Sequence, residues 1–383
     1  MGYDIFLCGD FYVGPYSGSR VPDILDSKIP QSVFGDLSTY IKNSKIGVLN
    51  LEAPVCSAGR KLPKTGPSLR MGKEVLPLLE NAGFNLVTLA NNHIMDYGEA
   101  GVTATINGLT KHNIRHVGAD IQQSHIDKPF IETVGNYKLG IINICENEWI
   151  NSPNSLASAN GINEVNAYYQ ISTLRGIVDK TIVIYHGGNE YYPLPSPRIK
   201  RLFRYFVDCG ADAVVAHHTH VASGFEVYKN SPVFYSLGNF VFDSTKKKSP
   251  DWYHGLAVGL NLKEDTIDFK ILPFIQDFGN KNGLSLMEGN VYLDFMAKLH
   301  SYNDIIRDDM RLDDCFKEFA RKKRLQYNSF LNPYMGRMVS LFKKGLLPNL
   351  LSASKKRLIL NLCRCESHND ILKVTLMEQE STR

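Results

Sequence analysis

TIVIYHGGNEYY (residues 181–192), ADAVVAHHTHV (211–221) and FYSLGNFVFD (234–243) decide the fold of this chain. Two of them share a form: a short β-branched run that stops at histidine, Ile182-Val183-Ile184-Tyr185 at His186 and Ala213-Val214-Val215 at His217-His218-Thr219-His220. Runs this short and this rich in Val and Ile predict buried strands. A histidine at the end of such a strand stands on the sheet rim, where α/β proteins place their ligands. In extended chain His218 and His220, two apart, point the same way. Surface histidines on a loop are the plain alternative for that pair alone, but His186 at a separate strand end favours half of a metal site.

Outward from this stretch, the same form recurs. Tyr3 to Cys8 is a predicted strand ending in Gly9-Asp10, Lys45 to Leu51 one ending at Glu52, and Asn85 to Leu89 one running into Asn91-Asn92-His93. Helical spacing covers Pro22 to Asn43 (broken at Pro30), Glu74 to Ala82, Gly98 to His112, Ile162 to Val178 and Arg198 to Cys209. Phe130 to Cys145 predicts a hairpin turning at Gly135-Asn136, and Gly224 to Ile275 an antiparallel region with turns at Lys229-Asn230 and Glu264-Asp265. Alternating strands and helices followed by hairpins predict an α/β domain of two sheets. The Gly/Asn-rich run 279–283 marks the expected boundary, giving a domain 1–280 and an extension 281–383 whose first helix is expected over Tyr302 to Leu325.

The strand ends together supply carboxylates, an amide oxygen and imidazoles: Asp10, Glu52, Asn92, His93, His186, His218 and His220. Oxygen and imidazole donors without thiolate suit two divalent transition-metal ions, Mn, Fe, Zn or Ni. Two such ions clamp the attacking and leaving oxygens of an in-line displacement. Asp96, three residues after His93, is placed to orient that ring, and a protonated His93 serves as general acid. The seven cysteines are odd in number and scattered, with no Cys-x-x-Cys pair, which argues against both a disulfide framework and a zinc knuckle and suits a reducing compartment.

GDFYVG (9–14), NLEAPV (50–55), LANNHIMDYG (89–98), YHGGNEYYPLPSPR (185–198), GADAVVAHHTHV (210–221) and FYSLGNFVFD (234–243) occur in the order of the poly-γ-glutamate capsule biosynthesis (CapA) family. The chain resembles this branch of the calcineurin-like metallophosphoesterases over roughly residues 3 to 275. The resemblance implies a four-layer α/β/β/α metallophosphatase-like sandwich with a dinuclear centre. It implies Asp10 and His220 on the first metal, Glu52 bridging, Asn92, His186 and His218 on the second, and His93 at the leaving group. Two departures stand out: Tyr12 where the superfamily's Asp-x-His motif has histidine, and Glu52 where phosphatases have Asp. Glu190, Asn239 and Asp243, which belong to the branch's motifs, are expected in the substrate pocket. Arg70, Lys61 and Lys64, on the loop between, are candidate contacts for an anionic substrate or else a solvated loop.

The implied function is a metal-dependent hydrolase of bacterial capsule or surface-polymer synthesis, acting on a phosphoester, a phosphorylated small molecule or an anionic polymer. The alternative is a non-catalytic scaffold or polymer-binding subunit of a capsule-synthesis complex. Net charge is +4, but residues 317 to 364 hold twelve Lys/Arg against Glu318, so that stretch carries 12 − 1 = +11 and the remainder 4 − 11 = −7. Basic pairs interleaved with Leu, Ile and Phe fit either a helical extension packed on the core or an interfacial segment on anionic lipid, where Cys363 and Cys365 would be open to acylation. No aromatic stacking platform accompanies the basic residues, so nucleic acid is not an expected partner. The opening MGYDIFLCGD has neither a basic n-region nor an apolar h-region, and no apolar run reaches membrane-spanning length. The expectation is a cytoplasmic protein that meets the inner membrane face peripherally.

Overall fold

The computed structural model describes residues 2–14, 30–57, 59–151, 155–244, 248–277, 283–365 and 367–372. Four strands, β1 (Ile5–Tyr12), β2 (Ile46–Leu51), β3 (Leu86–Thr88) and β4 (Arg115–Val117), lie side by side and parallel. A two-stranded ribbon follows, β5 (Ala119–Asp120) with a later β8 (Ser158–Ala159). The predicted hairpin, β6 (Phe130–Val134) and β7 (Tyr137–Cys145), begins a second sheet that continues through β9 (Lys180–His186), β10 (Ala213–His217), β11 (Phe225–Tyr228) and β12 (Ser231–Phe234). The chain then returns to the first sheet with β13 (Asn239–Phe242), β14 (His254–Leu262), β15 (Ile267–Asp277) and β16 (Gly283–Leu286).

Side chains of β1 alternate between two cores, as a strand's period of two requires. Ile5 and Leu7 face the second sheet and pack with Leu139, Ile141, Ile184, Val215 and Phe234. Phe6 and Cys8 face the other way, toward Phe34, Ile41, Leu76, Leu79 and Leu109 of the covering helices. On the far face of the second sheet, Tyr185 meets Phe203 and Phe206 of helix Pro197–Cys209 at 5.1 and 6.1 Å. Burial on both faces of both sheets is why the strands read as continuous apolar runs. The result is the expected four-layer α/β/β/α sandwich.

Some expectations change in detail. Gly224 to Ile275 is not antiparallel throughout: β12 pairs parallel with β10, and β13 pairs parallel with β1. Of the helical spacing at Pro22 to Asn43, residues 22–29 lie outside the described residues, and the rest forms short segments Pro30–Phe34, Gly35–Leu37 and Ser38–Asn43. The Ile162 to Val178 spacing yields a shorter helix, Glu164–Ser172, capped by the Asn163 side chain. The helix expected at Tyr302 to Leu325 spans parts of two, Gly289–Arg307 and Asp309–Leu331.

Residues 279–282 of the expected boundary run lie outside the described residues. By compactness the chain divides later, into Met1–Leu312 and Asp313–Arg383. The reason is local: β16 extends the first sheet beside β15, and helix Gly289–Arg307 buries Phe295 and Leu299 in the core between the sheets. In the second unit, Tyr334 Oη donates to the Pro348 carbonyl at 2.7 Å and Phe342 and Leu351 are buried. Leu325, Tyr327, Phe330, Leu358 and Leu360 are exposed there. No helix among the described residues is long and apolar enough to cross a membrane.

Candidate metal centre

Every predicted ligand lies at or just past the carboxyl end of a parallel strand. Asp10 lies on β1 where the register shifts, paired with Asn239 of β13. A Cβ at Gly9 would collide with the Gly238 carbonyl oxygen, so glycine is what lets β1 and β13 close on each other. Glu52 directly follows β2, Asn92 and His93 lie in the turn after β3, and His186 ends β9 in register with His217 of β10. His218 and His220 do not lie in extended chain. Their φ values are 94° and 59°, so β10 ends at His217 and the two imidazoles converge through a left-handed turn.

Two groups of potential ligands form, and Glu52 belongs to both: Asp10, Glu52 and His220, and Glu52, His186 and His218. Around His186 Nε2 stand Asn92 Oδ1 at 3.1 Å, His218 Nδ1 at 3.1 Å and Glu52 Oε1 at 4.0 Å. Glu52 Oε1 lies 4.0 Å from His220 Nε2, and Asp10 Oδ2 lies 4.0 Å from the other ring nitrogen, Nδ1. Donors about 2.1 Å from one ion in octahedral array stand about 3 Å apart, so the spacings of Asn92 Oδ1 and His218 Nδ1 about His186 Nε2 suit a bound cation. Neither Glu52 oxygen accepts from an amide, hydroxyl or ammonium among the described residues, although Glu52 is fully buried, and the Asp10 carboxyl, close enough to share a proton with it, raises its pKa further. A buried carboxylate left in that state is costly unless a cation accompanies it. The residues present fit divalent metal.

Neighbouring amides orient the donors. Asn239 Nδ2 donates to the carbonyls of His220 and Trp252 at 3.3 and 3.1 Å, which turns its Oδ1 to His220 Nδ1 at 2.9 Å. His220 Nδ1 must therefore carry the proton, leaving Nε2 bare as a ligand. Asn239, expected in the substrate pocket, is instead fully buried and positions His220. Asn92 Nδ2 donates to Glu148 Oε2 at 3.4 Å, so its Oδ1 faces His186. Asn50 Nδ2 donates to Asp10 Oδ1 at 2.8 Å and lies 3.2 Å from His186 Nδ1, joining the two groups from behind. Asp10 also accepts the His218 backbone N–H at 2.9 Å.

Burial pushes the Asp10 carboxyl up to about 7. Burial, followed by the charge of Asp10, holds Glu52 well above the carboxylate range. Burial also lowers His186 and His218, and takes His220 down to about 3. The imidazoles are thus kept neutral, the form that binds metal, and the carboxyls gain most from a cation.

His93 Nδ1 meets Asp96 Oδ2 at 2.7 Å, as expected. Lys64 is not a solvated loop residue: its side chain is 2 % exposed and ion-paired with Asp96, with Nζ 3.3 Å from His93 Nδ1. Arg70 donates to the Ser57 carbonyl and lies over the Tyr97 ring, and Lys61 is exposed. Glu190 is exposed, with its charge acting on Glu52, and Asp243 is buried, its N–H on the Tyr12 carbonyl at 2.9 Å. The Tyr12 ring packs against Phe242 at 5.0 Å, so the first group lacks the imidazole of the Asp-x-His pattern. Sequence reasoning missed Asn50 as a link between the groups, although its place two residues before Glu52 on β2 was a usable signal.

The family model described as bacterial capsule synthesis protein PGA_cap matches residues 4–244. The chain is 32 % identical over 247 residues to capsule biosynthesis protein CapA of Bacillus anthracis, covering 61 % of this chain and 59 % of that protein. It is 31 % identical over 271 residues to PGA biosynthesis protein CapA of Bacillus subtilis, covering 69 % of each. Among solved structures it is similar to the 5'-nucleotidase of Candida albicans SC5314, with a TM-score of 0.40 and 10 % identity, over 85 % of this chain and 59 % of that one. With a match over well more than half its length, this chain belongs to the bacterial capsule synthesis protein PGA_cap family.

Proposed function

We propose that this chain is a metal-dependent hydrolase of capsule or surface-polymer synthesis, acting on a phosphoester or on an anionic polymer such as polyglutamate or a polysaccharide. The observation that carries the reading is Glu52, a buried carboxylate without an amide, hydroxyl or ammonium donor that stands in both ligand groups. Asp10, Glu52 and His220 would hold one ion, and Glu52, Asn92, His186 and His218 the other. Divalent Mn, Fe, Zn or Ni held there would supply a water of lowered pKa and positive charge that the two carboxylates would leave partly unbalanced, suited to an anionic group. His93, its ring fixed by Asp96 and Lys64, gives a proton to the departing oxygen. Arg70, Glu190 and Asp243 remain the candidate substrate contacts.

The names of the Bacillus relatives support a role in polymer synthesis, and the basic stretch 317–364 supports peripheral contact with an anionic membrane or with a synthesis complex. The first group's missing imidazole favours a second reading, a scaffold or polymer-binding subunit. A screen of phosphomonoesters, phosphodiesters and γ-glutamyl peptides with Mn- or Zn-loaded protein separates the two. On the substrate that is turned over, His93→Ala should lower kcat about 10²- to 10⁴-fold with metal content unchanged. No turnover, together with normal polymer in cells carrying His93→Ala, would establish the scaffold instead.

A further inference from the structure

Beside the Asp10, Glu52 and His220 half of the centre stands an aromatic cluster that the ligands do not use. Trp252 is 2 % exposed and lies on the turn Pro250–Tyr253, its ring 4.7 Å from His220 and 5.2 Å from Phe242. Tyr191 stacks on it at 5.7 Å, lies 6.0 Å from His220, and keeps 45 % of its surface open. Tyr191 holds a left-handed conformation, φ 62°, secured by its N–H on the Thr219 carbonyl at 2.8 Å. A bulky residue is rarely placed so without a reason.

Lys248 completes the group. Its Nζ lies 4.1 Å from the centre of the Trp252 ring and 5.6 Å from that of Tyr191, and donates to Tyr191 Oη at 3.4 Å. Among the described residues no carboxylate pairs with it. The rings favour a cation electrostatically but bring no counter-charge. The ammonium acts on His220, so beside a loaded centre it also faces divalent ions, an unfavourable arrangement that an intervening anion relieves. Glu190, next to Tyr191, is exposed, where solvent and salt screen it, and Asp243, next to Phe242, is buried.

We propose that Lys248, held against Trp252 and Tyr191, is the subsite for a second anionic group of the substrate, next to the group that reacts. This deepens the hydrolase reading and rests on it. The substrate class is then one with neighbouring anionic groups, and the open face of Tyr191 borders the place they would occupy. That chemistry has two sources: the second phosphate of a diphosphate, or the α-carboxylate of a γ-glutamyl unit.

Equilibrium binding to full-length, metal-reconstituted protein tests it, with metal content measured for each variant. The paired probes are pyrophosphate against orthophosphate, and tri-γ-glutamate against the same peptide with its α-carboxylates amidated. Lys248→Ala should weaken binding of pyrophosphate or of tri-γ-glutamate about tenfold or more, and leave orthophosphate or the amidated peptide, which lack the neighbouring anionic group, within about twofold. Lys248→Arg should restore most of the loss, and metal content should not change. Whichever probe responds identifies the source. The subsite is overturned if Lys248→Ala affects both members of each pair alike, affects neither, or lowers metal content. It is overturned too if the wild type prefers neither pyrophosphate over orthophosphate nor tri-γ-glutamate over its amidated form. A wild type that holds no metal, yet loses pyrophosphate affinity on Lys248→Ala, would sink the hydrolase reading and leave the subsite standing.

Discussion

Asp10 and Glu52 lie side by side in the interior, and without a cation neither can ionise at its ordinary pH. This sets the pH behaviour of the centre. Asp10 titrates near 7 in the metal-free fold against an ordinary 3.8, so between those values it carries a proton that a cation must displace. Glu52 is raised well above its ordinary range as well, so metal affinity should rise with pH through 7 and keep rising until Glu52 too has lost its proton. His220, lowered to about 3, is already neutral in that range and contributes no proton. Calorimetry at pH 6 in two buffers of different ionisation enthalpy should find about one proton or more released per chain loaded. No release at pH 6 would mean that the carboxyls are not ligands. The placement of Asp10, Glu52, Asn92, His186, His218 and His220 at strand ends was legible in the sequence, because each stands where an apolar run stops. The roles of Asn239, Lys64 and Lys248 were not, since each depends on a contact between distant strands or loops, such as Lys64 with Asp96.

Strands and their ends were the most legible elements, because burial on both faces writes them as unbroken apolar runs. The helix Pro197–Cys209 was as plain: the Ser196 hydroxyl accepts the Ile199 N–H, Pro197 opens the first turn, and Gly210 ends it at φ 119°. Strand pairing was not legible. FYSLGNFVFD has the local pattern of a hairpin arm, yet β13 enters the first sheet parallel to β1, a choice made by residues more than 200 positions away. The same pairing brings Asn239 beside Asp10 and depends on Gly9. Gly9→Ala drives its Cβ into the Gly238 carbonyl, a backbone group that cannot swing aside. It should destabilise the protein by about 3 kcal/mol or more, read as a lower urea midpoint. A loss under about 1 kcal/mol would show that the two strands separate more easily than this packing allows.

At the scale of the molecule, charge is divided along the chain, with +11 between residues 317 and 364 and −7 in the rest. Near an anionic leaflet each Lys or Arg contributes about 1 kcal/mol within a Debye length. The full-length protein should float with phosphatidylglycerol vesicles at low salt, and a variant with Arg321, Lys322, Lys323 and Arg324 changed to Glu should not. Equal behaviour of the two would leave the basic stretch without a membrane role. The domain boundary was less legible than the charge, because helix Gly289–Arg307 carries core residues on a mostly polar surface. Above all of this stands the claim that one carboxylate joins two metal ions. Elemental analysis of protein purified without chelator and reconstituted with Mn or Zn tests it most directly, comparing wild type with Glu52→Gln. The account predicts about two ions per wild-type chain and loss of both in Glu52→Gln, with the metal-free variant melting no lower than metal-free wild type. A wild type that binds none, or a Glu52→Gln variant that keeps both, would contradict it.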